Sequence, residues 1–306
     1  MSEKTYEGSR VKAQKSKSNS EYSDLLGKLQ DIPTLPVVAM KVNQLLNDPT
    51  SSSSQIAEVL KKDQVLTAKI LRLVNSSYYA IPGGVADVQR ALAFLGFNTV
   101  AQLVLGISVF SVFNQNGDDD VFSMPDFWRH ALGTAVCSEI LAKHMDYPKP
   151  EEAFTCGLLH DIGKLVLHEI DPDRLKNIVR ETTRRECSFT EVEKEWDLPG
   201  HSYLGEVIAT KWGLPQVIRL AIRYHHHDVS TMASILSSAK PVIQMVRLAN
   251  AICVKNKIGK SGDNSDFEIS SSMLSPLDLS ERDIPQIVAT LEKDMERAGA
   301  FLSVYR

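Results

Sequence analysis

The sequence has few cysteines, and none of them is spaced to form a thiolate site. Its 306 residues contain four, at Cys137, Cys156, Cys187 and Cys253. A C-x-x-C pair is the usual sign of a zinc site or a redox motif, and no such pair occurs. Each thiol lies in a helical-looking or mixed segment, so we expect small buried side chains rather than metal ligands or disulfides.

Long uninterrupted apolar segments are also lacking. The longest, around Val100–Phe113, is interrupted by Gln102 and Ser108 and is shorter than the roughly 20 residues that cross a bilayer as a helix. The first residues are polar and do not resemble the apolar core of a secretory signal. We therefore expect no membrane insertion, and a cytoplasmic location in a reducing compartment.

An excess of positive charge is absent as well. Lys and Arg number 34 and Asp and Glu number 38, which gives a net charge of −4. This balance argues against a general nucleic-acid binder. Residues 1–20 differ, because five basic and two acidic residues give them a net charge of +3. They have almost no large apolar side chains, so they are predicted to form a flexible tail.

No stretch of the sequence keeps the alternation of a β-strand, and apolar residues recur at helical spacing instead. The sequence therefore predicts an all-α fold, a multi-helix bundle preceded by an N-terminal helical half. The polar, acidic segment Asn114–Asp120 suggests a boundary between the two halves. The predicted units are a tail at 1–20, an N-terminal half at 21–116, a second half at 121–258, and a loop with a C-terminal helix at 259–306.

One apolar segment of the second half carries adjacent ionisable residues. Residues 157–164 read GLLHDIGK, so that His160 and Asp161 lie on a predicted helix over Pro150–Glu169. A buried ionisable pair is costly unless it is compensated, and imidazole and carboxylate groups bind divalent iron, manganese, cobalt, nickel or zinc. Lys164, one turn after His160, could offer a cation to a substrate phosphate. The pair alone is better explained by a polar helix face bordered by leucines.

Further histidines lie on other predicted helices of the same half. His130 follows Trp128 and Arg129, His201 follows Gly200, and His225 and His226 belong to the segment RYHHH. The spacing is 30 residues from His130 to His160, 40 from Asp161 to His201 and 24 from His201 to His225. Helices separated in this way can converge on one inner cavity of a bundle.

The order H…HD…H…HH resembles the HD superfamily of metal-dependent phosphohydrolases. The whole arrangement resembles the HDOD domain, the HD-related output domain of bacterial signalling proteins. The first half contributes to the resemblance through Leu35-Pro36, through residues 63–76 (DQVLTAKILRLVNS) and through residues 91–96 (ALAFLG). It extends from about Leu29 to Asp228, and the later helices match more loosely.

The resemblance implies a set of site residues. It makes six residues metal-ligand candidates: His130, His160, Asp161, His201, His225 and His226. It further implies one or two divalent ions bridged by Asp161, with iron or manganese favoured and zinc, nickel or cobalt also compatible. If the protein is an enzyme, Asp161 and Lys164 are its catalytic candidates, because Lys164 matches a lysine that steadies the substrate phosphate.

Three departures bear on activity. Asn250 stands where the superfamily has a final carboxylate ligand. The Gly-Tyr-Pro segment that defines the HD-GYP branch of the superfamily does not follow the histidine pair. His227 takes the place of a glutamate in the pattern of that branch. HDOD relatives are regarded mainly as regulators. The resemblance thus implies a signalling output module with signalling proteins on other chains as partners, and a nucleotide ligand and a homo-oligomer are compatible with it. The alternative is a metal-dependent phosphohydrolase acting on a nucleotide or cyclic dinucleotide.

Overall fold

The computed structural model describes residues 25–113, 120–230, 232–265 and 268–304, and these residues form helices and no strand. The all-α prediction is confirmed. The predicted tail at 1–20 lies outside the described residues, as does most of the predicted boundary loop. After a helical turn at 25–28, the described part of the N-terminal half contains α1 (Val37–Leu46), α2 (Ser53–Leu60), α3 (Gln64–Val74) and the long α4 (Val88–Phe113).

Eleven further α-helices and one 3-10 helix (Ser275–Leu277) follow in the described residues. The α-helices are α5 (Met124–His144), α6 (Pro150–Leu159), α7 (Ile162–Ile170), α8 (Pro172–Arg185), α9 (Phe189–Glu195), α10 (His201–Lys211), α11 (Gln216–Tyr224), α12 (Lys240–Lys255), α13 (Ser271–Leu274), α14 (Ile284–Arg297) and α15 (Gly299–Val304).

Side-chain caps fix where the short helices of the N-terminal half begin. Asp63 caps α3, because its carboxylate accepts a hydrogen bond from the Leu66 amide at 2.9 Å. Helix α2 begins after Ser52, which forms a capping box with Gln55. A polar cap satisfies amide groups that have no partner inside the helix.

Helix α4 is long and apolar enough to cross a bilayer by length and composition alone. It is kinked at Gly96, where φ is 83° and ψ is 168°, and residues 100–110 after the kink are all buried. Of its most apolar stretch, 61% is buried inside the protein. Since α4 packs against α1, α2, α3 and α6, its apolar surface is explained as that of a core helix.

The second half is built on α5 and α6, which pack side by side and are covered by α12. Helix α7 packs on α10, and α10 packs on α11. The contact between α7 and α10 requires glycine, since a Cβ atom on Gly163 would collide with the carbonyl oxygen of His201. This close approach brings the start of α10 beside the start of α7.

The predicted single helix over Pro150–Glu169 is wrong, because it is interrupted at the His-Asp pair. His160 follows the last residue of α6, and Asp161 has a φ of −98° and a ψ of 12° as the residue before α7. The Lys164 amide donates to the Asp161 carbonyl at 2.9 Å and starts the new helix. The break directs the Asp161 carboxylate toward His201 and His225.

The single C-terminal helix predicted within 259–306 is likewise divided into α14 and α15. The Ser280 amide donates to the carboxylate of Asp283, which directly precedes α14. Helix α14 packs on α5, and α15 packs on both α3 and α5. The C-terminal helices therefore join the two halves. Three of the cysteines are buried as expected, whereas Cys187 is only partly covered.

Candidate metal centre

Asp161 lies at the centre of a buried group of histidines. Its Oδ1 atom is 3.2 Å from the Nε2 atom of His201 and 3.4 Å from the Nε2 atom of His225. Its Oδ2 atom is 3.4 Å from the Nε2 atom of His160. All four side chains are 0–1% exposed. The start of α10, the end of α11 and the break between α6 and α7 therefore meet at one carboxylate.

The structure brings together all six predicted ligand residues. They form two groups in which one ligand atom from each residue lies within 4.8 Å of the others. The first group is Asp161, His201, His225 and His226, and the second is His130, His160 and Asp161. Because Asp161 belongs to both groups, it is the one side chain that could bridge two ions.

Hydrogen bonds at the Nδ1 atoms turn three of these histidines so that Nε2 faces the centre. Nδ1 lies 2.7 Å from the Gly157 carbonyl in His160, 2.8 Å from the Ile222 carbonyl in His225 and 3.0 Å from the Glu193 carboxylate in His201. An imidazole that donates through Nδ1 presents a lone pair at Nε2, the usual arrangement behind a metal-ligating histidine.

The atoms that face the centre of the cluster form few hydrogen bonds with one another. The Nε2 atom of His160 and the Oδ1 atom of Asp161 make no hydrogen bond with the described residues although both are buried. The Nε2 atoms of His201 and His226 lie 3.0 Å apart. Ligand atoms about 2.1 Å from one ion are separated by about 3.0–3.4 Å, so these distances and this donor set fit a divalent metal.

Burial and neighbouring charges affect the histidines in opposite directions. Burial, together with the charge of His160, lowers the pKa of His130 to about 4. Burial likewise lowers the pKa of His225 to about 4. Burial also disfavours protonation of His201, but Glu193 and Asp161 outweigh it and raise its pKa to about 9. Three of the potential ligands, including His226, are therefore neutral near pH 7, as metal ligation requires.

Lys164 is buried and held by two carboxylates. Its Nζ atom lies 2.8 Å from Oδ2 of Asp161 and 2.9 Å from Oδ2 of Asp263, and it stands 4.8 Å from the ring centroid of Phe189. Burial opposes the charged forms, yet this pairing raises the pKa of Lys164 and lowers that of Asp161. Lys164 would have to leave Asp263 before it could reach a substrate phosphate, and it contacts Asp161 rather than His160.

Two acidic residues of the site were not found from the sequence. Glu193 accepts hydrogen bonds from both the backbone amide and the Nδ1 atom of His201. Asp263 accepts from Lys164 and from the Phe189 amide. Asp263 is 99 positions from Lys164 along the chain, and no local motif connects them. Only the tertiary fold identifies these partners.

Asn250 is buried on α12, and its Oδ1 atom has no hydrogen-bond partner among the described residues. It lies three residues before Cys253, whose thiol hydrogen-bonds to Thr134. Thr134 in turn lies 3.5 Å from the Nε2 atom of His130. Asn250 is thus about one helical turn along α12 from Cys253, which is linked to His130 through Thr134.

A cleft of about 480 Å³ reaches the candidate centre at His226. Its rim carries the carboxylates of Glu191 and Glu268 and the ammonium group of Lys194. Glu193, which orients His201, and His227, the next residue after His226, also line it. The cleft is therefore the visible approach to His226, and its rim has more negative than positive charge.

Comparison with known proteins identifies the class. The HDOD domain family matches residues 32–228, so the chain belongs to the HDOD family. It spans less than half the length of the curated relatives that it matches at 25% identity, an uncharacterized protein of Treponema pallidum and the protein YuxH of Bacillus subtilis.

Three solved structures share the fold. An HDOD domain protein of unknown function from Geobacter sulfurreducens has a TM-score of 0.74 at 21% identity and covers 94% of this chain and 99% of its own. A provisionally assigned phosphohydrolase from Shewanella amazonensis has a TM-score of 0.69 at 23% identity, covering 91% and 98%. A provisionally assigned signal transduction protein from Marinobacter aquaeolei has a TM-score of 0.71 at 21% identity, covering 90% and 60%.

Proposed function

We propose that this chain is a bacterial, cytoplasmic output module that binds a divalent metal and regulates signalling proteins on other chains by binding. The observation that carries the proposal is the buried cluster around Asp161, whose ligand atoms are oriented for a metal. Family membership supports the regulatory role. Mixed imidazole and carboxylate ligation favours iron or manganese.

Three features favour binding over turnover. Lys164 is enclosed by Asp161 and Asp263, so its charge is already neutralised by the protein. The cleft that leads to His226 carries more carboxylates than ammonium groups at its rim, and such a rim repels an incoming phosphate while it attracts a metal cation. Asn250 in place of a carboxylate removes one anionic ligand.

A phosphohydrolase is the second candidate, because the two ligand groups share Asp161. If these residues held metal ions, the ions would supply an acidified water and a positive charge for phosphate oxygens. In that case His226, the ligand beside the cleft, would stand nearest the substrate, which we expect to be a nucleotide or cyclic dinucleotide. Glu193 would keep His201 oriented throughout.

Metal analysis together with a phosphodiesterase assay separates the two candidates. Wild type should retain at least about one divalent ion per chain, and Asp161→Asn should retain little. The exposed Asp173→Asn variant on α8 is the matched control and should keep the metal. We expect none of the three proteins to hydrolyse bis(p-nitrophenyl) phosphate or a cyclic dinucleotide.

Two results would change this conclusion. Turnover by wild type that Asp161→Asn abolishes and Asp173→Asn retains would establish the hydrolase in place of the binding module. The metal centre itself would be refuted if all three proteins had equally negligible metal content. This must hold after purification without chelator and after reconstitution with iron(II) or manganese(II).

A further inference from the structure

The two ligand groups of the candidate metal centre share Asp161, but they face different oxygens of its carboxylate. Oδ1 faces the first group, because it lies 3.2 Å from Nε2 of His201 and 3.4 Å from Nε2 of His225. Oδ2 faces the second group, because it lies 3.4 Å from Nε2 of His160. A pair of ions bridged by Asp161 would therefore need one oxygen for each ion.

Only one of these two oxygens is free. Oδ1 of Asp161 makes no hydrogen bond with the described residues, whereas Oδ2 accepts a hydrogen bond from Nζ of Lys164 at 2.8 Å. The ammonium group thus stands against the oxygen that an ion in the second group would need. Two cations that close together repel each other strongly in a buried site.

Lys164 is firmly held in this position. Its side chain is 0% exposed, and Nζ also lies 2.9 Å from Oδ2 of Asp263 and 3.4 Å from Oγ of Ser261. The ring of Phe189 covers the ammonium group at 4.8 Å. If Lys164 left these partners, two buried carboxylates would lose their counter-ion, which is strongly unfavourable. The lysine is therefore a fixed positive charge of the site.

The charges around the cluster balance with a single divalent ion. Its carboxylates are Asp161 itself, Glu193 against His201 and Asp263 against Lys164, all of them 1–4% exposed. Together with the ammonium group they leave two negative charges, which one divalent ion neutralises. A second ion would bury two further positive charges without a counter-ion, and such burial is costly.

The first group is also the more complete of the two. It supplies a ligand atom from each of four residues, whereas the second group supplies three. Four ligand atoms fill a tetrahedral shell or leave two open positions in an octahedral one. The free oxygen of Asp161, the charge balance and the number of ligands therefore all favour an ion in the first group.

We propose that this chain holds one divalent ion, bound by the first group, and that the ammonium group of Lys164 takes the place of a second ion in the other group. This assignment deepens the proposed function and rests on it, because it requires the metal centre. It gives Lys164 the role of an internal counter-ion for Asp161 and Asp263.

The number of bound ions tests the assignment on the full chain. Wild type that is loaded with excess manganese(II) and then desalted should contain about one ion per chain, with the EPR spectrum of an isolated ion. Lys164→Met, which removes the charge but keeps a side chain of similar length, should contain about two, with the spectrum of a magnetically coupled pair. Lys61→Met, at a position that is 55% exposed, is the control and should match wild type.

Two histidine variants show which group holds the ion. His226→Gln should weaken manganese binding at least about tenfold, whereas His130→Gln should stay within about twofold of wild type. Thermal melting shows whether each variant folds. If Lys164→Met does not fold, the ion count of wild type and the two histidine variants decide the question.

Three results would overturn the assignment: a coupled pair of ions in wild type, a single ion in folded Lys164→Met, or loss of metal in His130→Gln but not in His226→Gln. An absence of bound metal in wild type has a different meaning, because it refutes the proposed metal centre and the assignment together. Failure of the assignment alone is thus distinguished by a wild type that binds metal.

Discussion

In the N-terminal half the buried positions of α1–α4 are almost all apolar, whereas the second half buries a connected set of ionisable groups. The buried polar residues of the first half are uncharged: Asn43, Ser76, Gln102 and Ser108. Those of the second half include five of the six residues of the histidine and aspartate cluster, with Lys164 and Glu193 around it; the sixth, His226, is partly covered. Both halves contribute to one continuous hydrophobic core.

This difference separates the roles of the two halves. Apolar burial stabilises a fold without depending on pH or metal, so the first half can serve as a scaffold. Buried charges stabilise a structure only when each one is compensated, and the second half achieves this around Asp161. The stability of the second half should therefore respond to lost charges and to metal ions, and that of the first half should not.

The largest effect is expected for Lys164→Met, which leaves Asp161 and Asp263 without their shared cation. Breaking a buried ion pair typically costs about 3–5 kcal/mol, and we expect a loss of this size in the free energy of unfolding of the metal-free protein. Added iron(II) or manganese(II) should restore part of it, because a cation at Asp161 replaces the missing charge. Urea unfolding with and without metal measures both quantities.

Lys61→Met in the first half is the matched control. Lys61 pairs with Glu58 at the surface, with their side chains 55% and 66% exposed, and water screens such pairs. The control should unfold like wild type at any metal concentration. A metal-independent loss in Lys164→Met would contradict the view that metal and lysine compensate the same carboxylate.

The next effect tests the first half. Ile70 is completely buried on α3, and Ile70→Ala should lower the free energy of unfolding by about 2–5 kcal/mol because it opens a cavity in the core. Val65→Ala on the same helix is the control, since Val65 is 70% exposed. Metal content, measured on the folded protein, should stay at the wild-type value in both variants. Loss of metal in Ile70→Ala would show that the scaffold and the site are coupled.

A smaller effect is expected at Asn250. Asn250→Asp restores the anionic group that the family resemblance places there, and should strengthen metal retention about tenfold or more. The exposed Asn177→Asp variant on α8 controls for the added charge alone. Equal retention in wild type and Asn250→Asp, measured by competition with a chelator, would show that this substitution does not weaken the site.

The sequence was sufficient for the class of fold and for the set of residues that meet at the centre. Helical periodicity continues through GLLHDIGKLVLHEI without interruption, and for that reason the break at Asp161 was not foreseen. Its cause is tertiary, because Gly163 lets α10 approach and the turned carboxylate contacts His201 and His225.

The charge partners of the site were also beyond the reach of sequence patterns. Asp263 lies in the loop after α12, where Gly259 and Gly262 adopt positive φ values of 65° and 86°. A Cβ atom on Gly259 would collide with the backbone around His130. The loop therefore packs closely against α5, and Asp263 of the same loop contacts Lys164. Glycine positions suggest turns, but they do not reveal which distant side chain a turn will meet.

The smallest effect concerns pH and the contact between the halves. Burial and the neighbouring Glu139 carboxylate raise the pKa of Tyr78 well above its usual value of 10.0. The unfolded chain therefore releases the Tyr78 proton first as pH rises, so this contribution to stability is complete below about pH 10 and is lost above it. Tyr78→Phe should remove this contribution to the loss of stability at alkaline pH. It should also lower the free energy of unfolding by about 1 kcal/mol near pH 7, because the variant lacks the hydrogen bond to Glu139. The control variant Tyr203→Phe, on α10, should lose stability at alkaline pH to the same extent as wild type. Urea unfolding from about pH 7 to about pH 11 tests this, and an alkaline loss that persists unchanged in Tyr78→Phe would show that another group causes it.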